Sequence, residues 1–121
     1  MNKVMLCGDA QFCRDLSDAF FTQIDVKCSC YNVSSPILPN ISFAIYSLGK
    51  AEVLVIDHEH LNEEIFLLMG IARANNILIV GVGTEDYYTK EEHTKPERIA
   101  YDYCEINVVH EDLISEICDY I

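Results

Sequence analysis

Positive charge is scarce in this sequence. Its 121 residues include eight Lys and Arg against 20 Asp and Glu, which gives a formal net charge of −12 at pH 7. Surfaces that bind nucleic acids or anionic membranes are basic, so the composition argues against both kinds of partner. A solvated acidic surface is the simplest interpretation. An acidic surface that binds a protein partner, or that mimics DNA, is the alternative.

Long apolar runs and an export signal are also lacking. No stretch approaches the roughly 18 consecutive apolar residues that a membrane span needs. The N-terminal segment MNKVMLCGDA is too short for a signal peptide, and Gly8-Asp9 indicates a turn rather than a cleavage site. We therefore expect a cytoplasmic protein. The length predicts a single α/β domain over residues 1–121.

The six cysteines form no C-x-x-C pair and no recognisable metal spacing. The chain also lacks the loop-rich character of small secreted domains that are held by disulfides. Cys28 and Cys30 lie two apart on a predicted strand, about 6.5 to 7 Å between Cα atoms, which is too far for a comfortable disulfide. We predict free thiols, most of them buried as small apolar groups.

Apolar strands and helices alternate along most of the chain. A parallel sheet covered on both faces has strands that are apolar throughout, and right-handed crossovers leave few topologies. The pattern predicts a doubly wound, flavodoxin-like three-layer α/β sandwich. Its five-stranded parallel sheet has the order 2-1-3-4-5, with KVMLC, EVLVI and ILIVGV central. The predicted strands are 3–7, 24–32, 52–57, 77–83 and 105–109. The predicted helices are 10–23, 41–48, 62–76, a short one after Pro96 and 110–121, with a turn-rich connection at 32–40 and a polar loop from residue 84.

A ligand crevice is expected where the winding of such a sheet reverses, beyond the carboxyl ends of the first and third strands. For this site we predict no cofactor and no metal. His58 and His60 are candidate metal ligands together with Cys7 or Cys30, but their spacing matches no metal motif, and a solvated acidic loop is favoured. The predicted ligand-binding residues are Gly8, Asp9, Ala10, Asp57 and Asn62.

The helix predicted at 62–76 is apolar on more than the one face that a sheet would cover. Two stripes can be drawn on it, and the sequence does not decide which of them faces the sheet. Because two-fold contacts dominate soluble oligomers, we predict a homodimer through this helix. The first stripe is Ile65, Leu68, Met69 and Ala72, and the second is Phe66, Leu67, Gly70 and Ala74.

The segment AEVLVIDHEHLNEEIFLLMGIARANNILIVGVGTED resembles the central segment of the nucleoside 2-deoxyribosyltransferase-like superfamily. Gly70, Ala72 and the strand from Ile77 match that family's pattern, and Gly8 matches the glycine that closes its first strand. The resemblance implies a nucleoside or nucleotide ligand. It also implies cleavage or transfer at the N-glycosidic bond of a (deoxy)nucleoside, with the glutamate of an E-x-G-x-A motif as nucleophile.

Leu68 stands at the position of that nucleophile, and the family's acidic residue for the sugar falls near Asn62. The resemblance therefore implies a binding protein that is catalytically inactive, or one that uses another carboxylate. Glu64 shares the helix face of Leu68 one turn earlier, about 5 Å along the axis, and is the candidate catalytic residue. The competing hypothesis is that Glu63 and Glu64 only stabilise the helix N-terminus.

A non-enzymatic module for regulation or protein interaction is the alternative function. Receiver domains that accept a phosphoryl group have acidic residues after the first strand and an aspartate at the end of the third. Asp9 and Asp57 fit that description coarsely. His110 follows the last strand where such domains have a lysine.

Overall fold

A computed structural model describes residues 3–33 and 41–121. Five strands in this part of the chain form one parallel sheet in the order β2-β1-β3-β4-β5. This confirms the predicted doubly wound fold, with β1, β3 and β4 central. The strands are β1 (Val4–Gly8), β2 (Cys28–Asn32), β3 (Val53–Asp57), β4 (Leu78–Gly83) and β5 (Ile106–Val109). The α-helices are α1 (Ala10–Ile24), α2 (Ile41–Leu48), α3 (Glu63–Ala74), α4 (Glu85–Thr89), α5 (Lys95–Tyr103) and α6 (Leu113–Ile117).

Helices cover both faces of the sheet. One apolar cluster joins α2, α3 and α5 to the sheet, and the other joins α1 and α6 to its opposite face. β1 and β3 lie between these clusters and are buried along their whole length, which explains why their sequences do not alternate. Among the described residues, no helix is both long and apolar enough to span a membrane.

Helix α3 packs on the sheet with the stripe Ile65, Leu68, Met69 and Ala72, all of which are buried. The other stripe is only partly covered. Phe66 contacts the cluster that α2 also joins, whereas Leu67 keeps 50% of its surface exposed. Among the described residues, a Cβ atom on Gly70 would have no neighbour within 4 Å. Within this part of the chain, the spare face of α3 is covered by α2 in part and otherwise open.

Three boundaries differ from the sequence prediction. The strand predicted from residue 24 begins only at Cys28, because α1 runs to Ile24 and Asp25 closes it in the left-handed region (φ 55°). The single helix predicted at 110–121 is divided into two 3-10 turns that flank α6. Residues 85–89 form α4 instead of a loop. The helix after Pro96 is confirmed as α5, begun by a capping box between Thr94 and Glu97. The predicted connection at 32–40 lies mostly outside the described residues.

All six cysteines, each in the described part of the chain, are free thiols. The expectation that most are buried holds for Cys7, Cys13 and Cys104. It was wrong for Cys30 and Cys118, which are exposed. Cys30 lies on the edge strand β2, which has a neighbouring strand on one side only.

Candidate functional site

The crevice lies where β1 and β3 end side by side. The two strands pair in parallel register as far as Cys7 and Ile56, and the chain then departs into α1 on one face and into the 58–62 loop on the other. Gly8 makes the tight exit from β1 possible, because a Cβ atom there would collide with the ring of Phe12. The winding reverses at this point of the sheet, which is where open α/β folds bind ligands.

Three polar side chains converge in this crevice. Asp9 follows β1, Asp57 ends β3, and His60 lies in the loop after β3. His60 Nδ1 is 2.6 Å from Asp57 Oδ2, and its Nε2 is 3.4 Å from Asp9 Oδ2. Asp9 and Asp57 are 48 residues apart in the sequence, and the imidazole of His60 bridges their carboxylates.

Each aspartate also has a structural task. Asp9 Oδ1 accepts a hydrogen bond of 2.8 Å from Phe12 N and so caps α1. Asp57 is only 7% exposed and its Oδ1 accepts from Glu59 N at 3.0 Å, which leaves Oδ2 for His60. Asp9 Oδ2 is the carboxylate oxygen that faces the crevice beside His60. Asp57 positions His60, and Asp9 and His60 present the polar surface.

The charge of His60 is set by its neighbours. Burial alone would lower its pKa, but the hydrogen bond to Asp57 and the negative charges of Asp57, Asp9 and Glu59 raise the pKa above its usual range. With His60 protonated, the three side chains together have a formal net charge of −1. The exposed side of the crevice then offers a hydrogen-bond acceptor, Asp9 Oδ2, beside a positive charge.

Asp9, Asp57 and His60 could also hold a divalent cation, because one ligand atom from each lies within 4.8 Å of the others. Ligation needs a neutral imidazole with a free lone pair. Here both ring nitrogens face carboxylates, and the raised pKa of His60 favours the protonated form. The arrangement suits an internal ion pair better than a metal site.

The remaining predicted site residues have mixed positions. Asn62 caps α3 by accepting from Ile65 N at 2.8 Å, and Ala10 begins α1 half-buried. Leu68, at the nucleophile position implied by the family resemblance, is fully buried in the core. Glu64 lies in the first turn of α3, with Oε2 enclosed and without a hydrogen-bond partner in the part of the chain that the structure describes.

Sequence reasoning missed a second cluster beside this crevice. His58 was placed in a solvated loop, but it is 1% exposed, and its Nε2 lies 2.7 Å from Asn107 Oδ1 on β5. Tyr87 stacks on its other side. Gly81 provides the room, because a Cβ atom there would collide with His58 Nε2 and lie 2.6 Å from Asn107 Oδ1. The two glycines in ILIVGVG were the signal that a side chain crosses β4.

A cavity of about 500 Å³ lies next to this buried histidine. Polar segments that looked like an irregular loop from sequence supply much of its wall, since α4 and α5 fold over the ends of β4 and β5. Burial raises the pKa of Tyr87 to about 12, so this phenol is neutral. The lining residues include Tyr87, Tyr88, Lys90, Arg98, Tyr101 and Asn107.

Comparison of the chain with models of known protein families and with curated proteins finds no match. The resemblance to the nucleoside 2-deoxyribosyltransferase-like superfamily therefore depends on Gly8, Gly70, Ala72 and the strand from Ile77.

Proposed function

We propose that the chain is a nucleoside 2-deoxyribosyltransferase-like protein that binds a nucleoside or nucleotide in the crevice between β1 and β3 without cleaving it. The observation that carries the proposal is the convergence of Asp9, Asp57 and His60 at the reversal point of the sheet. A carboxylate such as Asp9 is a natural acceptor for sugar hydroxyls. Its outward oxygen Oδ2 remains beside His60 after Oδ1 has capped α1.

The charges of the crevice suit a ligand that has both hydroxyl and anionic groups. Both N–H groups of His60 face carboxylates, so His60 contributes a positive charge close to an anionic ligand and no further hydrogen bond. The N-termini of α1 and α3, each capped at this edge, add partial positive charge. Asp57 keeps the imidazole in place through the 2.6 Å hydrogen bond. The crevice therefore combines an acceptor for sugar hydroxyls with a local positive charge for an anionic group.

The absence of a carboxylate at Leu68 supports binding without cleavage. The side chain of Leu68 is fully buried against the sheet. This position of the helix therefore contributes to the core and supplies no nucleophile. Glu64 is one turn away, and a displacement of about 5 Å is far outside the tolerance of nucleophilic catalysis. A phosphoryl-acceptor role is less well supported, because both oxygens of Asp57 are engaged and the residue is buried.

We place the protein in the cytoplasm, where free thiols are the rule.

A thermal-shift screen with nucleosides, nucleotides and sugar phosphates tests this function. A ligand at 100 times its dissociation constant adds about 2.7 kcal/mol to the free energy of unfolding. Asp9→Asn keeps the capping oxygen and removes the charge, so it should abolish the shift while leaving the unliganded protein folded. Asp18→Asn removes the same charge from an exposed position of the same helix and should keep the shift. No shift with any compound, or an equal shift in Asp9→Asn, contradicts the proposal.

The outer face of α2 and α3 favours a second function, association with another copy of this chain. Phe43, Tyr46 and Leu67 are 64%, 61% and 50% exposed, and the sequence of α2, ISFAIYSL, contains no charged residue. In a chain with a net charge of −12, this is a face on which two copies meet without bringing carboxylates together. Burying large apolar groups at about 1.5 to 3 kcal/mol each favours association before its entropy cost is subtracted.

Light scattering at micromolar concentration tests the association. The unmodified protein should have twice the 13.8 kDa mass of the chain. Leu67→Asp should give a folded monomer, because the side chain is half-exposed and a charge there is tolerated in the single copy. Glu63→Gln, a substitution at an exposed position of the same helix, should remain dimeric. A mass of one chain for the unmodified protein contradicts the proposal.

A further inference from the structure

Two cysteines from different elements meet on the α1 face of the sheet. Cys13 lies in the first turns of α1 and is buried against the sheet. Cys30 pairs in register with Leu6 of β1 and shares its strand face with Cys28, which packs in the same cluster as Cys13. Cys13 Sγ lies 3.8 Å from the carbonyl oxygen of Tyr31, the residue after Cys30. Cys13 and Cys30 are thus neighbours in space, although they are 17 positions apart in the sequence.

The two thiols differ in a way that assigns them different chemical roles. Cys30 is exposed on the edge strand, whereas Cys13 is enclosed. The neighbouring thiol of Cys13 favours a thiolate at Cys30 and lowers the pKa of Cys30 below its ordinary value. The same contact with Cys30, followed by burial, raises the pKa of Cys13 strongly. An accessible thiol that ionises readily is the attacking group in disulfide exchange, and a protected partner is suited to the second step.

We propose that Cys30 and Cys13 form a thiol–disulfide exchange site that takes low-molecular-weight disulfides as its oxidant. In the first step the Cys30 thiolate, having lost its proton to solvent, bonds to one sulfur of R–S–S–R. The S–S bond of the oxidant breaks and R–S⁻ leaves. The product is a mixed disulfide between Cys30 and R–S.

In the second step Cys13 attacks the sulfur of Cys30. The new Cys13–Cys30 bond forms as the bond between Cys30 and R–S breaks, and the proton of Cys13 passes to the departing R–S⁻. Over both steps the protein dithiol is oxidised by two electrons and R–S–S–R is reduced to two R–SH. The two sulfurs must approach to about 2.0 Å, which side-chain rotation at an edge strand can supply.

The other cysteines do not form such a pair with equal access. Cys7 and Cys104 are buried and Cys28 is half-buried, which protects them from a soluble oxidant. Cys118 is exposed and lies near the end of the chain, so it serves as a matched control thiol. In a reducing compartment, a disulfide of this kind would be transient and responsive to the thiol pool.

The test is exposure of the reduced protein to excess glutathione disulfide, followed by intact-mass measurement and mapping of alkylated peptides. The unmodified protein should lose two hydrogens and give a peptide that links Cys13 to Cys30. Cys13→Ser should stop at a glutathione adduct on Cys30. Cys30→Ser should form neither product, and Cys118→Ser should behave as the unmodified protein does. Far-ultraviolet circular dichroism should show that each variant is folded, and Cys13→Ala replaces Cys13→Ser if it is not.

Three results would overturn the proposal. The first is a stable adduct on Cys30 in the unmodified protein with no internal disulfide. The second is modification of Cys118 alone. The third is a disulfide that links another pair of cysteines. Because the assay contains no nucleoside or nucleotide, its outcome is independent of the function proposed above.

Discussion

The ring of His58 lies parallel to the ring of Tyr87, with centroids 5.2 Å apart and an interplanar angle of 8°. At the edge of the imidazole, Nε2 is 2.7 Å from Asn107 Oδ1, which assigns the proton to Nε2 because a carbonyl oxygen only accepts. His58 therefore connects the loop after β3 to β5 across β4. The neutral form of this histidine is a structural element of the fold.

Acid should destabilise the protein through His58. Burial, the largest influence, lowers the pKa of His58 below its ordinary value of 6.5. The folded state then binds the proton less tightly than the unfolded state, so the free energy of unfolding falls as the pH drops through about 6.5. One such proton changes that free energy by at most about 1.4 kcal/mol per pH unit. Urea unfolding of the unmodified protein at pH 7.5 and 5.5 should show the loss.

His58→Gln removes this titration and should flatten the dependence on pH, even though the variant is less stable at pH 7.5. His60→Gln provides the opposite case. The raised pKa of His60 gives a stabilisation that is complete below about pH 6.5 and is lost as the pH rises through its folded-state value. Its removal should therefore steepen the loss in acid. Parallel curves for all three proteins would contradict both assignments.

Gly81→Ala should destabilise the fold by about 1 to 3 kcal/mol, the usual cost of overpacking a core. The added methyl group would collide with His58 Nε2 and displace Asn107. The hydrogen bond between His58 and Asn107, which crosses β4, would then be lost. Gly49→Ala is the matched control. A Cβ atom there would lie 3.5 Å from its nearest neighbour, Tyr46 O, and no glycine of the described residues has a positive φ. Equal midpoints of urea unfolding for the two variants would be inconsistent with this packing.

Gly70→Ala separates the stability of the single chain from the proposed dimer. Alanine at this exposed helix position, where residues 3–33 and 41–121 place nothing within 4 Å of the new methyl group, should stabilise the folded chain by about 0.5 to 1 kcal/mol. If two copies cross at Gly70, the same methyl group keeps the helices apart. Thermal unfolding at low concentration should then improve, while the dissociation constant from sedimentation becomes weaker. A higher midpoint with unchanged association would place the interface elsewhere.

Glu64→Gln addresses the remaining route to catalysis. Glu64 is the candidate nucleophile from the sequence, and its Oε2 is enclosed with no hydrogen-bond partner among residues 3–33 and 41–121. If the unmodified protein cleaves any deoxynucleoside, this variant should lose the activity and keep its melting temperature, because an amide has nearly the same shape. Release of free base measured by chromatography gives the result. Undiminished turnover would remove Glu64 from the mechanism.

The sequence was sufficient for the fold because the strongest signals were long and consistent. KVMLC, EVLVI and ILIVGV are apolar without alternation, and only central strands of a covered parallel sheet need that pattern. Asp9 was recognisable as a helix cap because an aspartate directly before a helical pattern commonly caps the helix. The start of β2 was missed because Asp25 adopts a left-handed conformation that lets α1 continue through residues with strand-like alternation.

The contents of the site were harder to predict, because they depend on contacts between distant residues. Asp9 and Asp57 could be placed at one sheet edge from topology, but the bridge through His60 depends on the exact path of a short loop. The burial of His58 required Asn107 from the last strand and the missing side chain of Gly81. Likewise, Cys13 and Cys30 meet only because of the register between β1 and β2, which a single sequence does not specify.

The position of Cys13 joins the two proposals thermodynamically. Its Sγ lies 3.8 Å from the carbonyl oxygen of Gly8, which also accepts from Val33 N at 2.9 Å. A disulfide between Cys13 and Cys30 alters the contact of Cys13 Sγ with Gly8 O, at the residue where the crevice begins. Coupling between two sites is reciprocal. If oxidation changes the dissociation constant of a nucleotide by a factor of about ten, the nucleotide must shift the two-electron potential of the dithiol by about 30 mV. The bound metabolite would then set the threshold at which this protein responds to the cell's thiol pool.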